Sequence, residues 1–313
     1  MTYGSPASLE REDIRAYLAR VRGGREPGAE LVDEFTRRYT VIGGSPLIEI
    51  TRAQAAALGQ SLGWPGEVGM RHSEPSIHAG LAALVARGVE RVAAIVLTPQ
   101  YSPLLMDGYA RAIEDARVTL AVVAPSVTIA GAWHDEPAFA VALAHRVTEA
   151  LERLPSVDRG SVGILMTAHS LPRRVAEEEP DYLAQLRATA EAVAARAGLR
   201  DGDWSYCWQS AGHEPGEWMK PDFADLMPEI AASGRRAVLV VPVQFLADHL
   251  EVLYDVDVGA REQAERVGLS FHRIDSLNAH PDLIEALGAV ARQTLDMGQS
   301  AVRAHDSPDL WAG

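Results

Sequence analysis

A histidine placed directly after an apolar strand can accept a proton near neutral pH or bind a divalent cation through its neutral ring. His169 is such a residue: it follows the run VGILMT (162–167) and Ala168, and precedes Ser170-Leu171-Pro172. A loop histidine satisfied by one hydrogen bond is the alternative that position alone leaves open. A second group lies in ADHLEVLYD, where Asp248, Glu251 and Asp255 are spaced by three and four residues. That spacing puts three carboxylates on one face of a helix. Like charges so arranged cost stability, and the stripe needs a counter-charge, a metal ion or shared protons. A solvated acidic face is the plainer reading, but the stripe's place just after the strand AVLVV (237–241) argues for a site.

Both groups need strands to carry them. Short, nearly all-apolar runs at 92–97, 119–123, 162–167, 205–209 and 237–241 alternate with longer amphipathic segments at about 9–22, 29–41, 46–62, 75–87, 103–116, 137–153, 181–197, 222–233, 247–267 and 281–297. This is the pattern of βαβ units around parallel sheets covered on both faces. Prolines at Pro46, Pro75 and Pro281 mark helix starts. Residues 124–137, with two prolines, a glycine and a tryptophan, read as the crossover between two α/β domains. Ligands of such folds gather at the carboxyl ends of strands. Here those ends read Thr98-Pro99-Gln100-Tyr101-Ser102, Ala168 to Pro172, Ser210-Ala211-Gly212 and Pro242-Val243-Gln244-Phe245.

Composition narrows the chemistry. The 313 residues suffice for two domains, and no apolar run approaches the length of a membrane span. The single cysteine, Cys207, forms no internal disulfide and excludes a metal site built on several cysteines, which together with the lack of a secretory opening points to the cytoplasm. A net charge of −14 repels nucleic acid, so an anionic substrate requires a local basic pocket. There is no GxGxxG after a strand, no GxxxxGK[ST] and no GxSxG.

The runs RYTVIGGSPLIEIT (38–51), RHSEPSI (71–77), LTPQYS (97–102), WHDEP (133–137), TAHSLP (167–172), WQSAGHEPGEWMKP (208–221) and VPVQFLADHLEVLYD (241–255) occur in the order found in ferrochelatases. The chain resembles that family over essentially its whole length. The opening YGSP (3–6) and RGGREP (22–27) resembles the form of Gram-positive-type bacteria that metallates coproporphyrin III. The resemblance implies an α/β fold of two Rossmann-like domains, each a parallel β-sheet flanked by helices, with a porphyrin cleft between them. The divisions expected are 1–128, 129–275 and a C-terminal segment 276–313 whose helix returns to the first domain. It implies a lyase inserting Fe2+ into coproporphyrin III. The alternatives are protoporphyrin IX as substrate, cobalt insertion into a tetrapyrrole, or a non-catalytic haem-binding or haem-transfer protein.

Carried over by residue, the resemblance sets His169 and Glu251 facing each other across the porphyrin centre, as catalytic residues and as partners of the Fe2+ substrate. Which of them takes protons and which guides iron is left open. Tyr3 corresponds to a tyrosine reaching the iron side, while Arg22, Arg25, Ser45 and Tyr109 are candidates for the propionates, since charged donors and hydroxyls suit carboxylates. Trp208 and Trp218 are candidate cleft walls, with a core role the alternative for Trp208. Asp255, with Arg38, is the candidate for an outer Mg2+-type site, although Gly259 stands where some relatives carry a carboxylate and Glu262 is the nearest substitute. Met1-Thr2-Tyr3 opens the chain where the family has a preceding apolar strand, so the first sheet is expected to be a strand short. No organic cofactor and no [2Fe–2S] cluster is expected, nor any nucleic-acid partner. The expected partners are the porphyrin, Fe2+ and a downstream enzyme accepting coproheme, and the chain is expected to be a monomer.

Overall fold

The computed structural model describes residues 1–305 except Arg159 and 213–215, and leaves aside the side chains of Val122, Val175 and 298–305. In the first half, helices α1 (Arg11–Val21), α2 (Ala29–Val41), α3 (Leu47–Leu62) and α4 (Ile77–Ala86) precede β1 (Arg91–Ala94). Helix α5 (Pro103–Leu120) then leads to β2 (Ser126–Ile129), which pairs in parallel with β1. The second half holds α6 (Pro137–Arg153), β3 (Val162–His169), α7 (Arg173–Glu178), α8 (Pro180–Arg196), β4 (Trp204–Gln209), α9 (Phe223–Ala232) and β5 (Ala237–Pro242). A π-helix (Glu251–Ala260), α10 (Arg261–Arg266), β6 (Ser270–Arg273) and α11 (Pro281–His305) complete it. Its sheet is all parallel, in the order β4-β3-β5-β6. Helix α11 packs on α3, β1, β2 and α6. Among the described residues no helix is long and apolar enough to cross a membrane.

Burial explains the second sheet. Strand β5 is buried along its whole length, and β3 at every residue except its two ends, because α6 and α8 cover one face and α9 and α10 the other. One expectation is corrected, and one strand had not been expected. The apolar run 119–123 is not a strand: α5 continues to Leu120, a 3-10 turn spans Ala121–Val123, and the strand follows at Ser126. A short apolar run does not by itself separate strand from helix, and here Val118 and Val123 are exposed rather than core. Strand β6 lacked a signal because only Phe271 of its four residues is a buried hydrophobic, as suits the edge of the sheet.

The first sheet has an unusual margin. Met1 lies beside the continuation of β1, its ammonium donating to the Ile95 carbonyl at 2.7 Å and its carbonyl accepting from Leu97 N–H at 2.9 Å. On the other side Thr2 N–H donates to Gly69 O, and Arg71 N–H donates to Thr2 O. Upstream of this three-residue wedge, a cavity of about 380 Å3 separates β1 from residues 64–69, lined by Ala55, Leu58, Gly66, Val68, Val92 and Leu287 among others. Its walls are largely apolar.

Desolvation lowers the Met1 ammonium from 8.0 to about 5. Between those values the unfolded chain binds more protons than the folded one, so this contribution to stability is present above about pH 8 and is lost as pH falls toward 5. A slope of up to about 1.4 kcal/mol per pH unit is expected from this group. Extending the chain ahead of Met1 by a few residues is expected to convert the amine to a neutral amide and remove that slope. An equal change of melting temperature between pH 5.5 and 8 with and without the extension would show that the buried amine does not set the slope.

Candidate active site

Three strand ends build the floor of the site. In the β3 ladders His169 pairs with Gln209, the last residue of β4, and Thr167 pairs with Pro242, the last residue of β5. The chain leaves β5 through 243–250 and enters the π-helix at Glu251, which carries that carboxylate back over His169. Glu251 lies between two imidazoles: His169 Nε2 is 3.7 Å from Oε1, and His249 Nε2 is 3.5 Å from Oε2. Each ring has its other nitrogen on a backbone carbonyl, His169 Nδ1 on Ser170 O at 2.5 Å and His249 Nδ1 on Ala247 O at 2.8 Å. A carbonyl only accepts, so both Nδ1 atoms carry protons and both Nε2 atoms face the carboxylate. Desolvation works to raise the Glu251 carboxyl, yet the charge of His169, then the hydrogen bond and charge of His249, hold it down at about 2. Burial opposes a charge on His249, but the hydrogen bond and charge of Glu251 raise it overall.

Glu251 is partly open to the cleft, with its side chain 37% exposed. The far wall is phenolic. Burial raises Tyr3, Tyr17 and Tyr39 above the ordinary tyrosine value, and the Glu251 charge adds to the effect at all three. Tyr17 and Tyr39 belong to the α1–α2 hairpin, whose inner face packs on Leu250 and Tyr254. Tyr3 is 40% exposed and meets the His72 ring edge-on at 4.5 Å. Thus His169, Glu251 and Tyr3 come together.

The acidic stripe is shorter than its spacing suggests. Asp248 precedes the π-helix and is held away by Ser276 Oγ at 2.7 Å, Asn278 Nδ2 at 2.9 Å and Arg273 at 3.4 Å. The i→i+5 turns of a π-helix are wider than those of an α-helix, which aligns Glu251 with Asp255 and then with Gly259. Asp255 meets Arg38 at 3.3 Å, and Arg38 also reaches Glu34 at 2.7 Å. Burial raises the Asp255 carboxyl, helped by Glu251 and opposed by Ser210, Arg38 and His169. Ser210, in the left-handed region at φ 57, follows β4 and brings its hydroxyl to Asp255; such backbone strain collects at sites. Glu262 is exposed on α10.

The propionate candidates divide. Arg22 and Arg25 are exposed at the end of α1, Arg25 Nε donating to Arg22 O, and neither has a carboxylate partner among the described residues. Ser45 is half-buried, and its hydroxyl accepts from Leu47 N–H at the start of α3. Tyr109 is only 6% exposed and underlies Arg71. Arg71 itself, within RHSEPSI, was missed. Its guanidinium carbon stands 5.9 Å from the Tyr3 ring centre and 5.5 Å from that of Tyr109, and it has no hydrogen-bond or ion-pair partner among the described residues. It lies so close over Gly108 that a Cβ there would fall 2.0 Å from it. No local pattern marks it, since the rings that hold it come from Tyr3 and Tyr109, distant in the chain. His249 was also missed, although it sits two residues before Glu251. Trp208, 2% exposed, belongs to the core with Tyr182 and Leu186. Trp218 is half-buried over Gly212, and of the run 208–221 residues 213–215 lie outside the described residues.

Comparison with known proteins bears on fold and family. Two solved structures share the fold: SirB from Bacillus subtilis with Fe3+, at TM-score 0.58 and 14% identity over 80% of this chain and 91% of that one, and CbiX, at TM-score 0.50 and 16% identity over 80% and 94%. Among curated relatives, a ferrochelatase of Deinococcus radiodurans is 37% identical over 302 residues, covering 93% of both chains. A coproporphyrin III ferrochelatase of Bacillus subtilis is 34% identical over 304 residues, covering 94% of this chain and 96% of the relative. The ferrochelatase family profile matches residues 1–295, and the chain belongs to the ferrochelatases, lyases that insert a metal into a porphyrin.

Proposed function

We propose that this ferrochelatase inserts Fe2+ into coproporphyrin III, with His169 and Glu251 as its catalytic residues. The observation that carries the catalytic assignment is the anchored ring: with Nδ1–H on Ser170 O, His169 exchanges its second proton at Nε2, the nitrogen that faces Glu251. Insertion exchanges two pyrrole N–H protons for one Fe2+, releasing two protons to solvent. His169 Nε2 takes a pyrrole proton as general base. Glu251, 3.7 Å away, stabilises the resulting imidazolium and draws the cation. Tyr3 offers an exposed, uncharged ring on the opposite side, with Tyr17 and Tyr39 buried close to it.

The porphyrin identity rests on the relatives that bear the coproporphyrin name and on the cations without acidic partners. In a chain of net charge −14, Arg22, Arg25 and Arg71 are free to meet carboxylates. Coproporphyrin III presents four propionates where protoporphyrin IX presents two, and only the former gives each of these arginines a partner of its own. Anaerobic turnover with Fe2+ and each porphyrin in turn tests the assignment; faster turnover of protoporphyrin IX would overturn it.

His169→Ala is expected to lower turnover by about 10²–10⁴-fold with porphyrin affinity nearly unchanged, because ring and propionate contacts lie elsewhere. More than about a tenth of wild-type turnover would remove His169 from the catalytic role.

Replacing Arg22 and Arg25 together by alanine, and Arg71 separately, is expected to weaken coproporphyrin III more than protoporphyrin IX. A charge-assisted hydrogen bond contributes about 1.5–3 kcal/mol, so each lost contact corresponds to roughly 10–150-fold in Kd. The difference should shrink at high salt for the exposed pair and persist for Arg71, which is partly enclosed by two rings. Equal losses for both porphyrins at every position would mean that these arginines do not read the additional propionates.

A further inference from the structure

The β3–β5 ladder ends one rung before the residue that matters most. Val243 N–H donates to Thr167 O at 2.9 Å, and the next rung of a parallel ladder would run from His169 N–H to Val243 O. The chain turns away there. A side chain supplies the acceptor instead: Gln244 Oε1 receives His169 N–H at 2.8 Å, and Gln244 Nε2 donates to Tyr182 Oη at 2.6 Å. The carboxamide orientation is fixed, because a backbone N–H can only donate. Gln244 is 8% exposed and Tyr182 2%, packed among Ala168, Leu186 and Trp208. On the other edge the ladder stays regular, with Ser170 N–H donating to Gln209 O at 2.7 Å.

We infer that Gln244, braced by Tyr182, is a positioning residue for His169: its carboxamide stands in for the missing rung and sets where the imidazole meets Glu251. The inference rests on the catalytic reading of His169. Along the preceding rungs of the β3–β5 ladder main-chain bonds fix the backbone whatever the side chain's polarity. At His169 one side chain does so, and the buried N–H loses its acceptor when that side chain is apolar. The imidazole is anchored to the adjacent carbonyl of Ser170, so a shift of this peptide carries the ring with it. A misplacement of about 1 Å in a reacting group can cost ~10²-fold in rate.

The test compares Gln244→Met, Gln244→Glu and Tyr182→Phe in the full chain, with Fe2+ turnover measured anaerobically against porphyrin concentration. Methionine keeps length and volume without an acceptor, and is expected to lower kcat by about 10–100-fold with KM for porphyrin within about twofold. Glutamate keeps an oxygen toward His169 N–H, and is expected to recover kcat to within about threefold of wild type. Tyr182→Phe removes only the brace and should fall between the two. A methionine variant that melts earlier yet keeps wild-type kcat per folded molecule, or a glutamate variant as slow as methionine, would overturn the positioning role. His169→Ala with wild-type turnover would instead overturn the catalytic reading, and the positioning role with it. Loss in His169→Ala but not in Gln244→Met refutes this inference alone.

Discussion

A carboxylate held between two imidazoles, each locked by its Nδ1 proton to a backbone carbonyl, is the arrangement around which the rest of this protein is organised. Glu251 can face both Nε2 atoms only if the π-helix begins where it does and if β3 ends where it does. The first condition depends on the turn at 243–250, pinned through Asp248 to Arg273, Ser276 and Asn278. The second depends on the registers of the β3–β4 and β3–β5 ladders, which place His169 at the sheet's carboxyl edge. The four-stranded sheet and its buried strands are thus the means of holding one ion pair in a half-open cleft.

Placing such a pair beneath an acidic surface raises an electrostatic difficulty for an anionic substrate. With a net charge of −14, the long-range field opposes porphyrin propionates, but that field is screened within about 8–10 Å at physiological salt. What matters close in is whether cations have been spent on neighbouring acids. Several arginines of the helical surface have been, as in the Arg15–Glu12, Arg37–Glu34 and Arg117–Glu114 pairs. Arg71 has aromatic rings instead of carboxylates. Stacking keeps its charge intact while orienting the guanidinium plane, so it enters the cleft as an unspent cation.

His169 was legible in the sequence because an apolar strand followed by a polar, proline-bearing turn marks a carboxyl strand end whatever the tertiary structure. Glu251 and Asp255 were legible through their spacing. Asp248 was placed with them wrongly, since spacing assumes one uninterrupted helix and the chain enters a π-helix only at Glu251. Trp208 could equally have been wall or core until its neighbours were known. Arg71 and Gln244 were beyond sequence reasoning for a common reason. Their roles come from what surrounds them, two rings from distant segments in one case and an interrupted ladder in the other. The run 119–123 failed for the opposite reason, a local pattern compatible with two structures.

The carboxylates of the π-helix differ in what a cation must displace to reach them. Gly259 closes the row for want of a side chain and not for want of space, since a Cβ there would touch only Tyr254 O at 3.7 Å. The row therefore stops at Asp255, whose nearest cation is Arg38 at 3.3 Å. A guanidinium does not give up its proton in a protein, so a divalent ion at Asp255 competes against a permanent charge. At Glu251 the neighbouring groups are the imidazoles of His169 and His249, which unlike a guanidinium can exist without a charge. On the function proposed above, a cation drawn to Glu251 meets neighbours that can release a proton to solvent, and that exchange of metal for protons is the same one the porphyrin itself must undergo.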